Sequence, residues 1–173
     1  MSEANAFAVK TVRFPVWRII ENGGMSGIKS LASLELANIS TGLWTRNALE
    51  SNEFVSSHKR ESIKLTRCAV RDLGFNREPK IKQVWSIIEE VGGLCPVDLG
   101  PNLRLQLMNQ PFEDRFFVAM GTLPMSPDNS NRGIFYLCCK RDARRKKELW
   151  LETCAIDENA PIGLKSEIVF VLK

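Results

Sequence analysis

The sequence has few of the residues that acid–base and nucleophilic catalysis usually require. Its one histidine, His58, lies in the polar segment SSHKRES at residues 56–62. Any Ser-His-Asp or Cys-His arrangement would have to include this side chain, and cleavage of RNA by a pair of histidines is excluded by the count. Because a polar segment does not desolvate a histidine, we predict no catalytic role for His58 and identify no catalytic residue.

Metal-binding and redox patterns are also missing. The five cysteines have no C-x-x-C spacing, and two of them, Cys138 and Cys139, are adjacent. Because the chain has one histidine, few side chains are available as ligands for a closed zinc site of histidine and cysteine. We therefore interpret the cysteines as small buried side chains in a reducing compartment, which predicts a cytoplasmic location and neither a metal nor another cofactor.

Long apolar runs are absent from the chain, and none approaches the ~20 residues that a membrane-spanning helix needs. The first ten residues, MSEANAFAVK, lack the basic and apolar regions of a signal peptide. We therefore expect no membrane partner. At 173 residues, the chain is predicted to form a single α+β domain over residues 11–173 behind a flexible tail of residues 1–10.

One segment, GGMSGIKS at residues 23–30, has the ingredients of a phosphate-binding loop but the wrong spacing. The P-loop motif places lysine directly after its last glycine, so that the lysine reaches the phosphates wrapped by backbone N–H groups. Here Ile28 follows Gly27, and Asn22 stands where the first glycine would be. We therefore predict a turn that leads into a helix capped by Ser30, without a nucleotide.

The remaining pattern predicts an α+β fold with helices mainly in the first half. An N-terminal strand over residues 12–20 is followed by short helices and a second strand over residues 62–70. Apolar residues at offsets 0, 3, 4, 7 and 10 predict one amphipathic helix over residues 79–91. After residue 102, short runs separated by turns predict a mainly antiparallel meander of four to five strands, because parallel strands need longer connections. The predicted strands are LRLQLM (103–108), FFVAM (116–120), IFYLCC (134–139), ELWLET (148–153) and EIVFVL (167–172).

The order of several motifs resembles an uncharacterised family of small bacterial proteins with an LCPxxxGPxLRLQ core motif followed by QP. Here the core motif spans residues 94–106, and QP, FFVAM, LWL and EIVFVL follow it in the family's order. A VWRII strand and an LGF segment precede it, as they do in the family. The segments SPDNSNRG and KRDARRKKE replace the family's acidic turns. The resemblance covers roughly residues 12–172 and implies a bacterial, single-domain α+β protein, but it carries no activity and no functional residue.

Positive charge is concentrated in one segment, KRDARRKK, at residues 140–147. It carries six basic residues and one acid, a charge of +5, whereas the rest of the chain sums to −1. Between two predicted strands it should form a projecting hairpin loop, and such a cluster binds phosphates by releasing counterions. We interpret it as a contact for nucleic acid or an acidic protein; the alternative is a solvated loop, or charge that protects a sheet edge. The predicted contact residues are Lys140, Arg141, Arg144, Arg145, Lys146 and Lys147.

Two aromatic and three polar residues leave further alternatives open. Tyr136 and Trp150 lie near the hairpin, where they can stack on bases or belong to the core. Arg104, Gln106 and Gln110 are candidates for a polar pocket between the helices and the sheet, and such a pocket would make the protein a small enzyme. Homo-oligomerisation through an exposed strand is a third alternative. We favour a non-enzymatic binding module because the usual catalytic residue sets are missing.

Overall fold

The structure is a computed structural model that describes residues 13–173, so the tail predicted for residues 1–10 and the start of the strand predicted at residue 12 lie outside the described part. The described residues form four α-helices and eight strands, which confirms the α+β class. Among these helices, none combines the length and the apolarity that crossing a bilayer requires. In chain order the elements are β1 (Arg18–Asn22), α1 (Gly27–Leu36), β2 (Ser40–Thr41), α2 (Leu43–Glu50), β3 (Glu61–Ala69), α3 (Ile81–Val91), α4 (Leu99–Gln106), β4 (Arg115–Val118), β5 (Leu123–Pro124), β6 (Arg132–Arg141), β7 (Lys147–Ala155) and β8 (Glu167–Val171).

The strands form one mixed sheet, so the predicted meander is correct only in part. Their order is β1-β3-β8-β4-β6-β7-β2, with β5 paired to β6. Five pairings are antiparallel, but β8 runs parallel to β4 and β2 runs parallel to β7. The sequence-based prediction paired strands that are adjacent along the chain. Instead, the long connection over residues 156–166 carries the last strand back to the middle of the sheet.

Helix α3 confirms the predicted amphipathic helix, although it begins at Ile81 and not at residue 79. Its half-buried Trp85 donates its indole N–H to the carbonyl oxygen of Met120 at 3.3 Å, which fastens the helix to the segment after β4. The same face packs on Ile168 and Phe170 of β8. Its buried residues are the predicted Ile81, Val84 and Ile88.

Residues 103–108, predicted as a strand, begin in helix α4 instead. The alternation of leucines over residues 103–107 predicted a strand. However, Leu99, Leu103 and Leu107 are spaced four residues apart, which is also the spacing of residues along one face of a helix. All three are buried. Pro101 lies in the first turn, where a missing backbone N–H breaks no helical hydrogen bond.

Helix α1 begins at Gly27, one turn before the predicted cap at Ser30. Ser26 is the observed N-cap, and its hydroxyl accepts the backbone N–H of Lys29 at 3.4 Å. A Cβ atom at Gly27 would lie 1.6 Å from the carbonyl oxygen of Leu49, so α2 packs directly against the start of α1. The glycine-rich segment is therefore a turn into a helix whose first residue is enclosed by protein.

The helices leave one part of the sheet uncovered. Helices α1, α2 and α4 pack on one face, over side chains such as Phe135, Leu137 and Leu151. Helix α3 packs on the other face, and its cluster contains no residue of β6 or β7. In the described part of the chain, this second face of β6 and β7 consequently has no helix over it.

Candidate functional site

The three residues of the predicted polar pocket do not point into one cavity. Arg104 is fully buried and donates to Gln110 Oε1 and to the carbonyl oxygen of Leu107. Gln106 projects about 200° away around the helix, where its amide accepts the N–H of Glu21 at 3.1 Å and donates to the Glu21 carbonyl at 2.8 Å. Arg104 and Gln110 therefore meet inside the protein, whereas Gln106 stays at the surface.

Arg104 and Gln110 connect α4 to the sheet. The side-chain amide of Gln110 donates to the carbonyl oxygens of Asp114 at 3.1 Å and Leu137 at 3.3 Å. Burial lowers the pKa of Arg104 to about 10, which leaves the guanidinium charged at neutral pH. Both side chains are thus committed to hydrogen bonds within the fold, and this placement favours a packing role over a catalytic one.

The basic segment forms a hairpin between β6 and β7, and we call residues 140–147 the basic hairpin. Asp142 organises its tip: its backbone N–H donates to the Lys146 carbonyl, and its carbonyl accepts the Arg145 N–H, both at 2.9 Å. The Asp142 carboxylate accepts the backbone N–H groups of Arg144 at 2.8 Å and Lys146 at 2.7 Å. Arg145 has φ of +60°, a left-handed conformation that glycine or asparagine adopts more readily.

The tip of the basic hairpin presents cations that no carboxylate neutralises. Within residues 13–173, no acidic oxygen lies within ion-pair distance of Arg144, Arg145 or Lys146. All three side chains are exposed. Lys147 has a long contact of 3.5 Å to the carbonyl oxygen of Met108. The tip is therefore available to an external anion.

The cations at the base of the basic hairpin contact protein groups. Lys140 Nζ lies 3.0 Å from Glu152 Oε1 and 4.5 Å from the centroid of the Trp150 ring. The guanidinium of Arg141 lies 4.3 Å from the centroid of the Phe112 ring. These contacts hold Lys140 against β7 and Arg141 against the loop before β4, so the base is fixed, whereas Arg144, Arg145 and Lys146 form the free tip.

Beside the basic hairpin, strands β4, β6 and β7 bring aromatic and cationic side chains to the uncovered face. The register pairs Arg115 with Cys138 and Phe117 with Tyr136, and it pairs Cys138 in turn with Trp150. Because directly paired residues project to the same side of a sheet, these side chains share one surface. We call this surface the open face. It comprises Arg115, Phe117, Tyr136, Cys138, Lys140, Trp150 and Glu152.

Rings and cations lie next to one another across the open face. The ring centroids of Phe117 and Tyr136 are 5.8 Å apart. The guanidinium of Arg115 lies 5.6 Å from the first centroid and 5.9 Å from the second, and this side chain is exposed. Attraction between the cation and the ring quadrupoles favours this placement. The open face therefore presents positive charge and aromatic surface together.

A concave pocket of about 410 Å³ opens at the junction of the open face and the basic hairpin. Its volume lies within the range of small-ligand sites. Half-buried Tyr136 forms part of it, and the guanidinium of Arg115 on β4 lies 5.9 Å from the centroid of its ring. The pocket is lined by Glu113, Asp114, Arg115, Tyr136, Cys138, Cys139, Lys140 and Arg141.

Protein cations neutralise most of the carboxylates close to the pocket. Burial by itself raises the pKa of Asp114, but the hydrogen bond and the charge of Arg67 outweigh it and hold the pKa below its ordinary value. Glu152 is paired with Lys140. Among the lining carboxylates, Glu113 has no ion pair within the described residues. The pocket therefore keeps an excess of positive charge.

The thiol and the phenol of the pocket are uncharged at neutral pH. Burial raises the pKa of Cys138 to about 11, and burial likewise raises the pKa of Tyr136. Since the thiolate is the reactive form of cysteine, Cys138 lacks the character of a nucleophile. His58 is exposed and lines neither of the two described pockets. Cys138 and Tyr136 therefore contribute neutral side chains to the pocket.

A second pocket, of about 350 Å³, lies between α2 and the loop after β5. The amide of Asn47 donates to the carbonyl oxygen of Met125 at 2.9 Å, and Glu53 is paired with Arg132. Its lining has neither an aromatic ring nor a cation. Nothing in its chemistry selects a ligand.

Sequence reasoning found the basic hairpin but only part of the open face. Tyr136 and Trp150 were noticed because they lie near the charged segment, whereas Arg115 and Phe117 were missed. Alternation along a strand defines two faces without showing which one a helix covers. The cross-strand register supplies that information, and only the structure contains it.

Comparisons of the chain with protein-family models, with curated proteins and with solved structures each return no match. The resemblance to a family of small bacterial proteins stays a prediction.

Proposed function

We propose that this protein is a non-enzymatic binding module that uses the basic hairpin to bind the phosphate backbone of nucleic acid. The observation that carries the proposal is the hairpin tip, where Arg144, Arg145 and Lys146 are exposed and have no carboxylate partner within residues 13–173. Clustered cations of this kind neutralise phosphates and release condensed counterions. The segment has a charge of +5 against −1 for the remainder, so the attraction is localised.

The open face favours nucleic acid over an acidic protein as the partner. Bases stack on aromatic rings while phosphates contact neighbouring cations, and the open face offers both groups side by side. An acidic peptide would use the cations and leave the rings without a partner. We also propose a cytoplasmic location, because all five cysteines are free thiols and a reducing compartment keeps them so.

Replacing Arg144, Arg145 and Lys146 together by serine should weaken binding to a mixed-sequence oligonucleotide of about 16 nucleotides by about tenfold or more at about 50 mM salt. The slope of log affinity against log salt should also decrease by about 2 to 3, because it scales with the number of phosphates neutralised. Fluorescence anisotropy with a labelled oligonucleotide measures both quantities.

A second triple variant, Lys29→Ser with Arg77→Ser and Lys82→Ser, is the matched control. It removes the same charge from exposed positions on other parts of the fold. We expect it to keep most of the affinity and the original salt slope. Equal losses in the two variants would show that net charge, and not the basic hairpin, is responsible. Absence of binding by the unaltered protein at about 50 mM salt would overturn the proposal.

Replacing Arg145 by glycine should affect stability and binding in opposite directions. Glycine adopts the left-handed backbone without steric penalty, so the free energy of unfolding should rise by up to about 1 kcal/mol. Affinity for the oligonucleotide should fall severalfold, because one tip cation is lost. Arg144→Gly removes the same charge at a position without positive φ, so it should weaken binding and bring no stabilisation. Thermal unfolding and anisotropy check the pair, and unchanged affinity in Arg145→Gly would contradict a role for this cation.

A further inference from the structure

We propose that the open face binds the unpaired bases of single-stranded nucleic acid while the basic hairpin binds its phosphates, an inference that rests on the proposed function. The inference specifies both the form of the nucleic acid and the place where its bases bind. The preferred ligand is a single strand and not a duplex, and its bases enter the pocket of about 410 Å³ beside the basic hairpin.

Tyr136 is the ring best placed to receive a base. It lines the pocket, is half-buried, and is held from one side by Phe117 at 5.8 Å between centroids. Its phenol is neutral, since burial raises its pKa, so it does not repel an approaching phosphate. The exposed guanidinium of Arg115, 5.9 Å from the ring centroid, can stack on the same base or contact its phosphate.

The pocket and the hairpin tip lie along one strand. Lys140 is four residues from Tyr136 on β6, on the same face, which corresponds to about 13 Å at the usual rise of a strand. The free tip cations follow immediately after β6. An extended chain of a few nucleotides can therefore reach from the tip to the ring, with Lys140 and Arg141 beside its backbone.

A duplex can use only part of this surface. Its phosphates are available to the basic hairpin, but its bases are paired and stacked inside the helix and cannot lie on a sheet. Both surfaces act together on a single strand. Because every base has a π-face and both sugars carry the same phosphates, we expect DNA and RNA of one sequence to bind within severalfold of each other.

The test compares four labelled ligands by fluorescence anisotropy: a mixed-sequence single strand of about 16 nucleotides as DNA and as RNA, its duplex, and an abasic strand with the same number of phosphates. The unaltered protein should bind both single strands about tenfold or more tighter than the abasic strand. Tyr136→Leu should weaken single-strand binding by about fivefold or more and leave abasic binding and the salt slope unchanged. Tyr136→Phe keeps the ring and should keep the affinity.

The outcomes separate this inference from the function on which it rests. Equal affinity for normal and abasic strands, or unchanged single-strand affinity in Tyr136→Leu, would overturn base stacking and leave phosphate binding by the basic hairpin intact. Binding of labelled poly-glutamate, measured in the same way, as tightly as the normal single strand would overturn nucleic acid as the partner. Absence of binding to every polyanion would overturn the proposed function itself.

Photocrosslinking on the unaltered protein covers the case in which Tyr136→Leu does not fold. A single strand that contains 5-iodouracil reacts on irradiation with aromatic side chains that its bases touch. Mass spectrometry should locate the crosslink at Tyr136 or Trp150. Trp44 is also an exposed aromatic residue and lies outside the open face, so crosslinks at Trp44 with none on the open face would overturn the inference.

Discussion

Replacing Arg104 by alanine should lower the free energy of unfolding by about 3–5 kcal/mol, the range measured for removing large buried side chains. Arg104 is fully buried, so truncation leaves a cavity between α4 and the sheet. It also removes the donors to Gln110 Oε1 and to the carbonyl oxygen of Leu107. Each buried acceptor left without a donor adds about 1–3 kcal/mol to the cost.

Part of this loss is offset, because the guanidinium is itself an expensive group to bury. No carboxylate within residues 13–173 pairs with it, and its Nε has no acceptor. Arg104→Met keeps much of the volume and removes the buried charge. Relief of that charge offsets part of the cost of the two acceptors left behind, so the net cost should be smaller, about 1–2 kcal/mol. Urea unfolding, with the slope compared among variants, gives the order alanine, methionine, unaltered protein from least to most stable.

Gln106→Ala is the matched control for the polar trio. Its side chain is exposed and loses two hydrogen bonds to the backbone of Glu21, so we expect a cost of about 1 kcal/mol. None of the three substitutions should change the oligonucleotide affinity of the folded protein. If Arg104→Ala stayed within about 1 kcal/mol of the unaltered protein, the packing role of Arg104 would be wrong.

The contrast between α3 and α4 shows how far local pattern predicts this fold. In α3 the apolar residues fit helical spacing and no other, so the helix and its buried face could be predicted. In α4 the leucines fit a period of two and a spacing of four equally well. The helix is distinguished from the strand by the close contact of Gly100 with the ring of Phe135. That contact exists only because the sheet lies under the helix.

The order of the strands in the sheet could not be predicted from the sequence, for a related reason. The runs IFYLCC and ELWLET lie within β6 and β7, and the runs FFVAM and EIVFVL overlap β4 and β8. A buried strand looks the same whether its neighbours are adjacent or distant in the chain. Strand β8 lies between β3 and β4, and its Ile168 and Phe170 are buried under α3, a contact between remote segments that the local pattern does not contain.

One part of the candidate site could be predicted from the sequence, and another part could not. Charge is a local property, so residues 140–147 could be identified from composition alone. The role of the neighbouring rings depends on which face of the sheet is covered. The position of Arg115 on the open face follows from its pairing with Cys138, which the sequence does not show. A buried cation such as Arg104 has no local signal either, because its leucine neighbours also suit a strand.

Replacing Arg67 by leucine should lower the free energy of unfolding by about 2–4 kcal/mol near neutral pH. Its Nη1 donates to Asp114 Oδ2 at 2.9 Å and its Nε donates to Glu167 Oε2 at 2.6 Å, while the guanidinium lies 4.5 Å from the centroid of the Phe116 ring. The residue thus joins β3, β8 and the segment before β4. Its removal leaves Asp114, whose side chain is 17% exposed, without its countercharge.

The acid dependence of stability should flatten in the same variant. Burial raises the pKa of Asp114, but Arg67 outweighs that effect and lowers it. A carboxyl whose folded-state pKa is depressed contributes stability above its unfolded pKa of about 3.9, and that contribution is lost as the pH falls through the folded-state pKa. Without Arg67 the raising effect of burial is no longer outweighed, so the free energy of unfolding should fall less between about pH 7 and about pH 3. Arg46→Leu breaks the exposed pair with Glu35 at 2.8 Å and should cost less than about 1 kcal/mol. Identical acid dependence in Arg67→Leu and the unaltered protein would show that this ion pair does not set the acid stability.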